Sequence, residues 1–218
     1  MSVRFILDGE MVELAEVDPT ATVLDHLRYK MRRTGTKEGC AEGDCGACTV
    51  LVGEASGDSV VWRSVNACIQ FLPMLHGKAL LTVESLKEQD APNPLQVCMA
   101  ANGSSQCGFC TPGFVMSLYG RAIGAKGSDL PVADVIAGNL CRCTGYGPIL
   151  EAGETVSSLP RDDAALAAQL TQLGAESASG KWQGRRWFAP KICEELANLL
   201  AEHPDARMVA GATDVGLW

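Results

Sequence analysis

Three cysteines crowded into one glycine-rich loop, with a fourth further along, constrain this chain more than any other feature. Cys40, Cys45 and Cys48 stand four and two residues apart in KEGCAEGDCGACTV, and Cys68 follows in VNACIQFLP. This is the plant-type spacing for the thiolate ligands of a [2Fe-2S] cluster. Thiolates are soft, anionic ligands of the kind iron–sulfur centres need. Gly39, Gly43 and Gly46 fit the same chemistry, because a tight loop can then turn successive backbone N–H groups toward negatively charged sulfur. Structural zinc is the competing reading, although zinc knuckles usually pair one Cys-x2-4-Cys with another, and here the fourth cysteine stands alone.

A second set lies in QCGFCTPG and LCRCTGYG: Cys107, Cys110, Cys141 and Cys143. Its first pair is expected at the start of a helix, where free N–H groups favour thiolate. Its second pair falls in a loop before the next helix. By spacing alone these four could hold zinc, or the first pair could be a redox-active Cys-x2-Cys. The redox reading lacks its usual preceding βαβ unit and leaves Cys141 and Cys143 unused. The two remaining cysteines, Cys98 and Cys193, read as buried structural thiols. His26, His76 and His203 are isolated and acquire no ligand role.

Ten cysteines in a chain of 218 residues with no secretion signal at the start of the sequence point to a reducing compartment, hence a cytoplasmic location, and to metal ligation ahead of disulfides. A net charge of −8 argues against a nucleic-acid partner, and no apolar run is long enough to span a membrane.

The expected fold class is α+β. VRFIL and MVEL form a hairpin over 3–14 around Asp8, Gly9 and Glu10; VLDHLRYKM is helical; strands are expected over 49–52, 60–62 and 80–86. Asp90, Ala91, Pro92, Asn93 and Pro94 read as a linker. Four short helical segments follow, PLQVCMAANG, TPGFVMSLYGRAIG, LPVADVIAGN and YGPILEAGETVSSL, enough for a small bundle. A surface helix is expected over 164–173, then a flexible tether through Ser177, Ser179 and Gly180. A new unit then opens with a helix over 190–201 and a strand over 207–210, and reads as the beginning of a longer polypeptide. The domain boundaries expected are 1–89, 90–159, a linker at 160–184, and 185–218.

The words KEGCAEGDCGACTV, VNACIQFLP, CGFCTPGFVMSLY and NLCRCTGYGPIL resemble the molybdenum hydroxylase family, which includes xanthine dehydrogenases, aldehyde oxidases and carbon monoxide dehydrogenases. The resemblance implies a plant-type ferredoxin-like (β-grasp) domain, then an all-α four-helix-bundle [2Fe-2S] domain, then the start of an α+β FAD-binding domain. It implies that Cys40, Cys45, Cys48 and Cys68 hold the cluster nearer the flavin. Cys107, Cys110, Cys141 and Cys143 would hold the one nearer molybdopterin, with Gln106 and Cys143 close to the pterin. Met208, Val209, Ala210, Gly211, Ala212, Thr213, Asp214 and Val215 resemble the family's FAD pyrophosphate loop. The joined flavin segment further resembles the iron–sulfur and FAD subunit of a bacterial xanthine dehydrogenase. That subunit relays electrons from hypoxanthine or xanthine hydroxylation on a separate molybdenum-binding large subunit to NAD, in a dimer of heterodimers. The same relay in an aldehyde oxidoreductase, a carbon monoxide dehydrogenase or another N-heterocycle hydroxylase, and a structural zinc protein acting in assembly, remain the alternatives.

Overall fold

A computed structural model describes residues 2–87 and 91–218. Its first element is the hairpin of β1 (Val3–Leu7) and β2 (Glu10–Leu14), closed by Asp8 and Gly9, both at positive φ as a tight two-residue turn requires. A short α1 (Val23–Asp25), N-capped by the Thr22 hydroxyl, continues as a wider turn over His26–Lys30. Next come β3 (Thr49–Ser56) and β4 (Ser59–Asn66), a 3-10 turn at Leu72–Leu75, and β5 (Ala79–Leu81). The five strands lie in the order β2-β1-β5-β3-β4, with only β1 and β5 parallel.

Side-chain alternation along these strands divides the apolar residues between two cores. Val3, Phe5, Leu7, Val50, Val52 and Leu80 face α1 and the Leu72–Leu75 turn. Ile6, Leu51, Trp62, Ala79 and Leu81 face the helices that follow. A strand buried on both sides reads as a continuous apolar run, and β3 opens with TVLV for that reason.

The helical part is built on α2 (Pro94–Ala101), α3 (Thr111–Ala122), α4 (Val132–Val135) and α5 (Gly147–Thr155). In α2 a capping box joins Asn93 and Gln96, and Pro94 occupies the first turn, where its missing N–H does no harm. The central element is α3. Phe114, Val115, Met116, Ser117, Leu118 and Ala122 are all buried around its circumference, as in a helix packed on every side. A single turn is all that forms of α4. Next, α6 (Ala164–Leu173) crosses the same sheet face, followed by a hairpin of β6 (Ala178–Trp182) and β7 (Arg185–Ala189), and by α7 (Cys193–Glu202). None of the described helices is long and apolar enough to cross a membrane.

Several local expectations are corrected. The strand expected over 80–86 stops at Leu81 because the Asp8 carboxylate takes both the Thr82 N–H and the Thr82 hydroxyl, each at 2.7 Å, and a 3-10 turn follows at Val83–Ser85. Helix α6 is no surface helix: Ala167, Leu170 and Leu173 form a buried stripe against β3, β4 and β1. Trp62 donates its indole N–H to Asp163 at 2.6 Å just ahead of that helix, and the Arg161 guanidinium lies 4.7 Å from the same ring. The supposed tether is strand β6. Gly180 sits opposite Trp187, and a Cβ there would lie 2.5 Å from the indole nitrogen, so the glycine is needed for ring packing rather than for flexibility. The helix expected from 190 starts at Cys193, and α7 buries none of its residues, so Cys193 is exposed rather than a core thiol. Residues 207–210 form no strand, since no described strand lies beside them to accept their backbone hydrogen bonds. The linker boundary at Gln89 and Asp90 falls outside the described residues.

Leu170, 1% exposed, makes the docking of α6 testable. Leu170→Ala is expected to cost about 2–5 kcal/mol of stability in denaturant unfolding. Leu196→Ala, on unburied α7, is expected to leave the midpoint within experimental error.

Candidate functional site

The loop from Gly39 to Cys48 carries no regular structure and turns on left-handed backbone at Ala41, Gly43 and Gly46. These reversals aim amide hydrogens at sulfur. The N–H groups of Glu42, Asp44 and Cys45 donate to Cys40 Sγ at 3.5, 3.3 and 3.3 Å, and that of Gly43 donates to Cys68 Sγ at 3.2 Å. Gly39 serves a different need: a Cβ there would lie 2.7 Å from Cys45 Sγ. Ala41 is the member of this nest that glycine counting misses. Asn66 anchors the loop by donating to Gly43 O. Cys68 arrives from the end of β4, and it and Cys48 are buried.

The four thiols fall into two touching pairs, Cys40 with Cys45 and Cys48 with Cys68. Burial raises the Cys40 thiol, but the three N–H donors outweigh it and bring the thiol below its ordinary range. In the other pair, the hydrogen bond from Cys68 holds Cys48 low, and the same bond, with burial and the charge on Cys48, drives Cys68 up. The loop therefore lowers one thiol of each pair, Cys40 and Cys48.

The second set repeats the arrangement on helical supports. Cys110 is the residue before α3, and Cys107 lies three positions earlier. Cys141 and Cys143 occupy the turn between α4 and α5, shaped by left-handed Gly145 and Tyr146. The Cys141 N–H donates to the Tyr146 hydroxyl at 2.8 Å, and the Tyr146 ring stands edge-on to Phe114 of α3, so the turn is tied to the bundle. Again there are two touching pairs, Cys107 with Cys143 and Cys110 with Cys141. The expectation that the helix start favours thiolate fails at Cys110, which burial and the Cys141 contact push up to about 12. Cys141 takes the low place: burial raises it, but the Thr144 hydroxyl at 3.3 Å and nearby N–H groups bring it to about 7. Cys107, Cys143 and Gln106 are exposed.

This pairing tests what the thiols can hold. A mononuclear ion needs ligands converging on one point, and among the described residues no three Cys, His, Asp or Glu side chains do so. A cluster with two irons needs four thiolates as two pairs. Both sets fit that demand, as two cysteine-clustered sites consistent with two [2Fe-2S] centres.

The centres meet at a backbone junction. A Cβ on Gly113, in the first turn of α3, would lie 2.1 Å from Gly46 O, and one on Gly46 would lie 2.3 Å from Gly138 O. The Leu140 N–H donates to Cys45 O at 3.0 Å. On the far side of the first loop, the turn around Gly216 rests on Ile69, the residue after Cys68; a Cβ on Gly216 would lie 2.8 Å from Ile69 O. Of the stretch Met208 to Val215, only Ala212 is buried, at φ 56°.

Residues 5–70 match the family model described as a 2Fe-2S iron–sulfur cluster binding domain, and residues 82–154 match a second described as a [2Fe-2S] binding domain. The xanthine dehydrogenase of Emericella nidulans is 46% identical over 160 residues, covering 72% of this chain and 12% of that protein. The xanthine dehydrogenase/oxidase of Rattus norvegicus is 34% identical across 98% of this chain and 19% of its own length. The chain thus spans a fifth or less of these curated relatives. Among solved structures, the quinoline 2-oxidoreductase of Pseudomonas putida 86 matches with a TM-score of 0.56 and 29% identity, over 79% of this chain and 96% of that one. The aldehyde oxidoreductase of Desulfovibrio gigas matches with a TM-score of 0.60 and 31% identity, over 79% and 18%.

Gly113→Ala should lower the thermal midpoint, with a penalty of about 1–3 kcal/mol for forcing a methyl against backbone. Gly138→Ala, whose Cβ would meet nothing within 4 Å, should leave it unchanged in the same melting experiment.

Proposed function

The chain belongs to the molybdopterin hydroxylase family as an iron–sulfur electron-transfer module, and from that premise we propose that it is the iron–sulfur and FAD subunit of a xanthine dehydrogenase. In this reading it relays reducing equivalents from hypoxanthine or xanthine, oxidised on a separate molybdenum-binding large subunit, toward NAD. The domains in this reading are 1–89, 90–159 and a flavin unit opening at 185–218, with 160–184 between them contributing α6 to the sheet face and β6 to the hairpin with β7. The observation that carries the reading is the pairing of eight thiols into two centres joined by the bond from Leu140 N–H to Cys45 O. Bound there, two [2Fe-2S] clusters supply one-electron carriage, and FAD converts it to hydride chemistry.

The chain's own residues supply position. Cys40, Cys45, Cys48 and Cys68 hold the inner centre, with backbone N–H groups donated to sulfur, an arrangement that favours the more reduced state. Cys107, Cys110, Cys141 and Cys143 hold the outer centre. In this reading the large subunit's pterin approaches Cys143 and Gln106, and the exposure of Cys107, Cys143 and Gln106 supports that side. At the opposite end Gly216 packs on Ile69, the residue after Cys68, and the Met208 to Val215 stretch that precedes Gly216 is in this reading the flavin loop. No acid, base or nucleophile is required of this chain, whose contribution is separation, orientation and local field. A cytoplasmic dimer of heterodimers follows from the same reading.

A second reading is the same relay serving an aldehyde or another N-heterocycle hydroxylase, favoured by the structural likeness to the aldehyde and quinoline oxidoreductases. Turnover of the complete complex on purines, aldehydes and quinolines separates the two.

Cys48→Ser and Cys110→Ser should each halve the iron and acid-labile sulfide of the purified protein. Each should also remove one of two electron paramagnetic resonance signals while leaving the other in place. Stoichiometric zinc with no visible charge-transfer absorption in the parent protein would sink the relay reading.

A further inference from the structure

Between the two cysteine sets stands one buried polar side chain that neither centre uses as a ligand. Asn139, 4% exposed, lies two residues before Cys141. Its Oδ1 accepts from the Ser117 hydroxyl of α3 at 2.7 Å. Its Nδ2 donates to Gly46 O at 3.0 Å and to Thr49 Oγ1 at 3.2 Å, one residue and four residues after Cys45. Thr49 gives its own hydroxyl hydrogen to Gly46 O at 2.7 Å, so toward Asn139 it can only accept. The amide therefore has one consistent orientation, with its acceptor toward the bundle and both donors toward the first cysteine loop.

The next residue completes the clamp. Leu140 N–H donates to Cys45 O at 3.0 Å, so the carbonyls of Cys45 and Gly46 are both captured from the strip that leads into Cys141. The Gly46 and Gly113 backbones already touch, which leaves no room for a larger group or a water between them. A buried amide with all its hydrogen bonds made is costly to disturb, because any partner removed leaves another unsatisfied.

We propose that Asn139 is a positioning residue that fixes the separation and electronic contact of the two iron–sulfur centres, acting through Gly46 and the Leu140 to Cys45 bond. The proposal rests on the iron–sulfur reading above. A residue serving only the stability of the fold would alter melting; a residue serving the junction also alters how strongly one reduced centre senses the other.

The test uses the full chain, purified with its metal and reduced with dithionite. Asn139→Asp keeps the size and the acceptor toward Ser117, loses the Nδ2 donor and sets a carboxylate oxygen against Gly46 O. The parent should contain iron and acid-labile sulfide and show two paramagnetic signals that broaden one another. Asn139→Asp should retain the iron, the sulfide and both signals but lose the mutual broadening. A parent with two signals and no mutual broadening, or a fully loaded variant that keeps the parent's broadening, overturns the clamp and leaves the relay standing. A parent without iron and sulfide overturns the relay and the clamp with it. Should Asn139→Asp not fold, Ser117→Ala removes only the bond that orients the amide. Weakened broadening at full iron content then supports the clamp, and unchanged broadening overturns it.

Discussion

Gly46 and Gly113 meet backbone to backbone, and the relative placement of the two cysteine sets follows from that contact. A Cβ on Gly113 would approach Gly46 O to 2.1 Å, so the first turn of α3 lies as close to the loop as a peptide can. Interiors are close-packed, so such a contact has no nearby alternative that differs by a small slide. With α3 fixed there, Cys110 at its start and Cys45 beside Gly46 acquire a set distance. Further along the same helix, Gly120 continues the approach against Leu51 and Ser64 of the sheet.

The sheet supports the junction by being covered on both faces. Its alternating residues feed two cores: the side of Phe5 and Val50 packs on α1 and on the β6–β7 hairpin, through Ala178 and Trp187, while the side of Leu51 and Trp62 packs on α3 and α6. A helical unit of short segments holds little stability by itself, because helices of this length are marginal in isolation. Docking on the sheet supplies the apolar burial they lack. The loop from Gly39 to Cys48 then leads directly into β3, the strand that touches α3, α6, β4 and β5.

What the sequence made legible follows the range of the interactions involved. The β1–β2 turn, the nest glycines and both cysteine sets depend on neighbours within a few residues, and each could be read from local spacing. The end of β5 could not, because it depends on Asp8 reaching Thr82 across the sheet. Nor could the burial of α6: AALAAQLTQL looks like a solvent-facing helix until Trp62 and Asp163 are brought together. Ser177, Ser179 and Gly180 have the composition of a tether, yet Gly180 is there to seat the Trp187 ring. The pairing of the thiols was likewise beyond spacing, since zinc and a two-iron cluster ask for the same four cysteines and differ only in how the sulfurs group in space.

The two centres, alike in ligand count, sit in unlike surroundings, and the difference has a direction. The first is enclosed: Cys48 and Cys68 are buried, N–H donors point at Cys40 and Cys68, and Ile69 and Gly216 close its outer side. The second opens to solvent through Cys107 and Cys143, while Cys141 alone is deeply buried. Added negative charge is stabilised by nearby N–H dipoles and opposed by burial away from water. Both effects act on all four thiols' surroundings in the first centre, whereas in the second they act on Cys110 and Cys141 while Cys107 and Cys143 stay open to water, so the balance between dipole and burial is struck over four ligands in one centre and over two in the other.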